Sequence, residues 1–160
     1  MNRSSTELVS QIAVLDDGRA ITALRLVLER QGQPVDPIDL RDAQDHLEQA
    51  LNQPGVRQLA EPDPNATPGV LARTALEHLA GTDQAAADLV KHAIAHAAQP
   101  AQRDPVTLAV GALVLYAFRA EVTLKRDPAH GWTFQLHTKP ISDSTLVRLL
   151  GQLLGTFSKP

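Results

Sequence analysis

The chain has 160 residues, 43% apolar and 21% charged, with a net charge of −3 at neutral pH; this is the composition of one folding domain, not of a disordered or repeat-built fibrous chain. The lack of any cysteine removes disulfides, thiolate metal sites and cysteine nucleophiles together. With three Phe, one Trp and one Tyr, the core must be built from Leu, Val, Ile and Ala, which favours helix packing.

The N-terminal residues lack an apolar run of signal-peptide length, and Glu7, Asp16 and Asp17 break up the stretch where one would lie, so a cytoplasmic protein is expected. Eleven Arg against four Lys, with abundant Ala and Leu, suggests a GC-rich bacterial genome. Leu8, Ile12 and Leu15 share one helical stripe. Gly18 permits a break, after which Ile21, Leu24 and Leu28 begin a second helix that Gly32 and Pro34 end. Three helix starts are marked by a capping residue followed by proline: Asp36-Pro37, Thr67-Pro68 and Asp104-Pro105. The side-chain oxygen satisfies a free amide of the first turn, and proline at the first helical position forfeits no hydrogen bond.

After Asp36, the stripe of Leu40, Ala43, Leu47 and Leu51 predicts an amphipathic helix over 37–52. Residues 53–67 contain Pro54, Gly55, Pro62 and Pro64 and read as an extended, mobile loop. Asn65-Ala66-Thr67 matches a glycosylation acceptor but has no secretory context to give it meaning. Residues 68–80 and 83–98 read as a helix pair parted at Gly81-Thr82. From Val106 to Phe118 only Thr107 is polar, yet 13 residues fall short of the roughly 17 needed to cross a bilayer. This segment is expected to be a central buried helix, although its β-branched residues also suit a strand.

From Ala120 the period changes to two. Val122 and Leu124 alternate with polar residues, as do Trp132, Phe134 and Leu136, around the turn chemistry of Asp127 to Gly131. The reading is a β-hairpin of strands 120–126 and 132–139, followed by a final amphipathic helix carrying Leu146, Leu149, Leu150, Leu153, Leu154 and Phe157. The expected fold is therefore mainly α with an α+β character. It is a single domain over 1–160, with a helical bundle over 1–99, then a central helix, a C-terminal hairpin and a last helix over 104–157.

Few constellations suggest chemistry. Asp88, His92 and His96, spaced by four, share one helical face, and two imidazoles at that spacing can share a metal. The stretch His92-Ala93-Ile94-Ala95-His96 lacks the glutamate of a zinc-protease motif, and only His78 on the preceding helix is available as a further ligand. A solvated face explains the row, and no metal or cofactor is expected. The carboxylates Asp42, Asp45 and Glu48 read the same way. Ser142, Asp143 and Ser144, close to His137, suit helix capping better than catalysis. No nucleophile elbow, Walker sequence or dinucleotide fingerprint is present. Gly151 and Gly155 offer either a close-packing groove or a frayed helix end, and the second reading is preferred.

Charge is divided along the chain. Residues 1–118 carry nine basic and fifteen acidic side chains, and residues 119–160 carry six and three. The hairpin concentrates Lys125, Arg126, His130, Trp132 and Lys139, and these are the expected binding residues. The sequence thus reads as a non-enzymatic interaction or assembly protein that binds another protein or a second copy of itself. A small metal-dependent enzyme or metal-binding protein using Asp88, His92 and His96 is the alternative, and a nucleic-acid accessory protein using the basic hairpin a further one. Neither nucleic acid nor membrane is the expected partner, because the basic excess is small and no apolar run is long enough.

Overall fold

The computed structural model describes residues 3–33, 36–53, 58, 60–97, 110–118, 122–129, 131–136 and 143–157. Among them are seven helices: α1 (Arg3–Ala13), α2 (Asp17–Arg30), α3 (Pro37–Leu51), α4 (Pro68–Ala80), α5 (Gln84–His96), α6 (Val110–Ala117) and α7 (Asp143–Phe157).

The capping chemistry sets the starts. Asp36 accepts from the Ile38 amide at 2.9 Å and Thr67 from the Val70 amide at 3.2 Å, each with proline in the first turn. The Asp104-Pro105 start lies outside the described residues. The break between α1 and α2 differs from expectation. Asp16, not Gly18, makes it, by accepting from the Arg19 amide at 2.8 Å, so that Gly18 lies inside the first turn of α2. Gly32 ends α2 in the left-handed region at φ +80°. The Gln33 amide then reaches the Leu28 carbonyl and the Gly32 amide reaches that of Glu29, closing a Schellman turn.

α2 and α4 pack along each other at the centre, with α5 against both. α2 contributes Ile21, Leu24, Val27 and Leu28, and α4 contributes Leu71, Leu76 and Leu79. α6 crosses α3 and α4 as a buried helix through Leu113 and Val114, so the described part of the ambiguous apolar run, 110–117, is helical. Residues 106–109 lie outside the described residues. α7 closes the bundle against α3 and α4 with Leu149, Leu150, Leu153 and Leu154.

The α+β expectation is corrected. The fold is helical. Apart from Ala60, Ala97 and Phe118, every described core side chain belongs to a helix. Among the described residues between α6 and α7, the backbone makes a two-stranded ribbon, β1 (Val122–Asp127) antiparallel to β2 (Gly131–Leu136), which runs beside α3. Two six-residue strands are too small to form a layer, so Leu and Ala on helices do the work of the core.

The loop expected over 53–67 is docked on α7 in its described C-terminal half. Ala60 is buried, the Asp63 amide donates to the Gly151 carbonyl at 2.9 Å, and the Asp63 carboxylate accepts from the Asn65 amide. A Cβ on Gly151 would lie 2.8 Å from the Glu61 carbonyl oxygen, and one on Gly155 would overlap the Asp63 carbonyl oxygen. The two glycines therefore form a groove inside α7, and Gly155 does not end the helix. The groove is occupied by the backbone of Glu61 to Asp63.

Candidate functional site

The histidine row forms no joint site. Asp88, His92 and His96 are all exposed on α5, as the spacing implies. Asp88 is held by the Gln84 side-chain amide at 3.1 Å and lines a crevice of about 140 Å³ shared with Glu7 and Gln11 of α1 and with Lys91. His92 and His96 instead line a crevice of about 50 Å³ between α2 and α5, with Leu26, Arg30, Leu89 and Ala93.

The two imidazoles lie 4.5 Å apart between ring centroids. His96 Nδ1 sits 2.9 Å from the His92 carbonyl oxygen, which can only accept, so this nitrogen carries the proton. Arg30 occupies the last turn of α2, where a cation offsets the negative end of the helix dipole, and His96 the last turn of α5. His78 does not join them. Its ring stacks on Phe118 at 4.1 Å. Among the described residues, no group of three or more His, Asp or Glu lies close enough to hold a metal ion.

The carboxylate row on α3 also separates. His46 approaches Asp42 at 3.7 Å, Asp45 is exposed, and Glu48 accepts from the Gln44 amide at 3.4 Å. Of the capping cluster, Asp143 and Ser144 lie in the first turn of α7, while His137 and Ser142 lie outside the described residues. Of the expected binding residues, Lys125 and Arg126 fall on β1 and Trp132 on β2, with Arg126 directly opposite Trp132 in the register. Arg126 is exposed. His130 and Lys139 lie outside the described residues.

Sequence reasoning misses the buried polar groups that join the helices. Gln44 is buried on α3, and its Oε1 accepts from the Ala112 amide at 3.0 Å, supplying a partner to the third residue of α6. A signal for it exists, because Leu40, Gln44, Leu47 and Leu51 run at spacings of four, three and four. Thr74 of α4 and Gln152 of α7 are buried together, with Thr74 Oγ1 2.8 Å from Gln152 Oε1 and 3.0 Å from the Val70 carbonyl. One hydroxyl proton serves only one of these acceptors, so if it goes to Val70, the Gln152 amide turns its Nε2 to the hydroxyl. Arg73 donates to the Leu15 carbonyl at 2.8 Å and to the Asp17 carboxylate at 3.1 Å, tying the α1–α2 junction to α4. A Cβ on Gly69 would overlap that same Asp17 side chain.

Among the described residues, no helix is long and apolar enough to cross a membrane. Comparison with protein-family models, with curated proteins and with solved structures gives no match to this chain.

Proposed function

We propose that this protein is a non-enzymatic interaction or assembly protein whose contact surface lies in its basic C-terminal part. The observation that carries the reading is the division of exposed charge. Before residue 118, exposed acids, among them Asp39, Asp42 and Asp45 on α3 and Asp83 and Asp88 beside and on α5, outnumber the exposed cations Arg19, Arg30, Arg41 and Lys91, whereas Arg126 and Arg148 are exposed cations of the part beyond it. That part holds six basic and three acidic residues against nine and fifteen before it. Such a division favours an acidic partner at Lys125, Arg126 and Lys139, and the acidic helices of a second copy supply that charge.

Sedimentation velocity of the full chain over a range of concentrations tests this. Association is expected at low salt and should weaken as salt screens the exposed charges. Lys125→Glu, Arg126→Glu and Lys139→Glu together should abolish it with the helical circular dichroism signal retained. A monomer at every concentration and salt, or a triple variant that associates as the parent does, would overturn assembly through this surface.

A further inference from the structure

We infer that α7 and the strap of residues 61–65 form one cooperative unit, which opens together while the central α2–α4 pair stays folded. Contact between the two is made backbone to backbone. The Asp63 amide donates to the Gly151 carbonyl, and Gly151 and Gly155 lack the Cβ atoms that would displace the Glu61 and Asp63 carbonyls. Pro62 and Pro64 flank Asp63 and limit the conformations the strap must give up on docking.

Each partner depends on the other. Two glycines four apart weaken α7 as a free helix, because glycine loses more backbone freedom than any other residue. Apart from the turn closed at Asp63, the hydrogen bond to Gly151 is the described backbone anchor of the strap. The rest of the α7 interface is mixed, with polar groups beside the buried Leu149, Leu150, Leu153 and Leu154. It includes the buried Thr74–Gln152 pair, whose groups water can satisfy on separation, and the Arg148–Glu77 ion pair at 3.7 Å. By contrast, α2 is packed by α4, α5 and α6, so releasing it dismantles the core.

Native-state hydrogen exchange of the full chain, followed residue by residue through increasing sub-denaturing urea, tests the inference. The Asp63 amide and the α7 amides should exchange through one shared opening, faster than the amides of α2 and α4. Gly155→Ala should speed exchange at Asp63 and across α7 by the same factor, tenfold or more, while leaving α2 and α4 unchanged. Exchange at Asp63 through a separate, faster opening would overturn the coupling. Exchange of α7 only through the global unfolding that releases α2 would overturn its independence. Should Gly155→Ala fail to fold, the unsubstituted protein still decides both points.

Discussion

The helices α2 and α7 are of similar length and amphipathic, but they are held in different ways. The fully buried residues of α2 are Ala20, Ile21, Ala23, Leu24, Val27 and Leu28, all apolar, although the Nε of its half-buried Arg25 is also shut off from solvent. α7 buries leucines too, yet between them it carries Gln152, which meets Thr74, and two glycines that admit another stretch of backbone. Apolar side-chain contact is proportional to area and spreads over many neighbours, whereas a glycine groove or a buried amide works only with one partner in one position. The bundle therefore has a centre held by area and a closing helix held by fit. Each glycine in α7 costs about 1 kcal/mol of helix propensity relative to alanine, a cost the close approach of the strap offsets.

The comparison is tested first where area dominates. Leu24 is fully buried on α2. Leu24→Ala should lower the unfolding free energy by about 2–5 kcal/mol, read from urea denaturation of the full chain with the slope unchanged. No other single substitution considered for this bundle should cost as much. A loss smaller than that of the next variant would mean that the centre is not held chiefly by area.

The second test removes a single polar partner. Gln44→Ala leaves the Ala112 amide buried at the α3–α6 crossing with no acceptor from α3, and should cost about 1–3 kcal/mol. Relaxation here is limited. A Cβ on the neighbouring Gly111 would already lie 2.5 Å from Leu47 Cδ2 and 2.7 Å from Gln44 Oε1, which shows how closely the two helices cross. A water entering the space left by Gln44 would reduce the cost, and a variant as stable as the parent would show that the amide needs no side-chain acceptor.

The same division decides how much of the molecule is legible in its sequence. Stripes of Leu, Ile and Ala report area, so the α1, α2 and α3 faces are readable, and the cap-proline pairs fix the starts of α3 and α4 almost to the residue. Fit is not written in any one segment. Gly151 and Gly155 are silent until a stretch of chain some 90 residues earlier lies across them, which is why the sequence suggests a frayed end and the structure shows a groove. The apparent looseness of residues 53–67 rests on proline and glycine alone. Those residues prevent a helix, but they do not prevent an extended segment from docking, and residues 60–65 dock. The alternation after Ala120 suggests a second structural constituent of the fold, but period two reports strand geometry and not whether the strands build a layer. The spacing of the histidine row places it on one exposed helix face, where Asp88 turns to Gln84 and the two histidines face α2.

The smallest expected effect lies at the start of α3, where the exposed carboxyl groups of Asp36 and Asp39 shift each other in opposite directions. Asp36 is lowered below the ordinary 3.8, chiefly by a hydrogen bond from Asp39 and next by the Ile38 amide. Asp39 is raised above 3.8 by the same hydrogen bond and by the charge on Asp36. The signs are therefore opposite. The depressed Asp36 contributes stability above its unfolded value and loses it as the pH falls through its lower folded value. The raised Asp39 contributes while protonated, below its unfolded value, and loses that contribution as the pH rises through its higher folded value. Once the pH has risen past both values the two charges repel. Asp39→Asn keeps a neutral donor beside Asp36 at every pH and so removes a penalty that exists only above 3.8. The lost negative charge in the first helical turn works the other way and keeps the net change small. The Tm of Asp39→Asn relative to the parent should thus be more favourable at about pH 7 than at about pH 3, where Asp39 is itself protonated. A Tm difference that does not change between those two values would show that the two carboxyl groups do not influence each other, and that Asp36 caps α3 without help from Asp39.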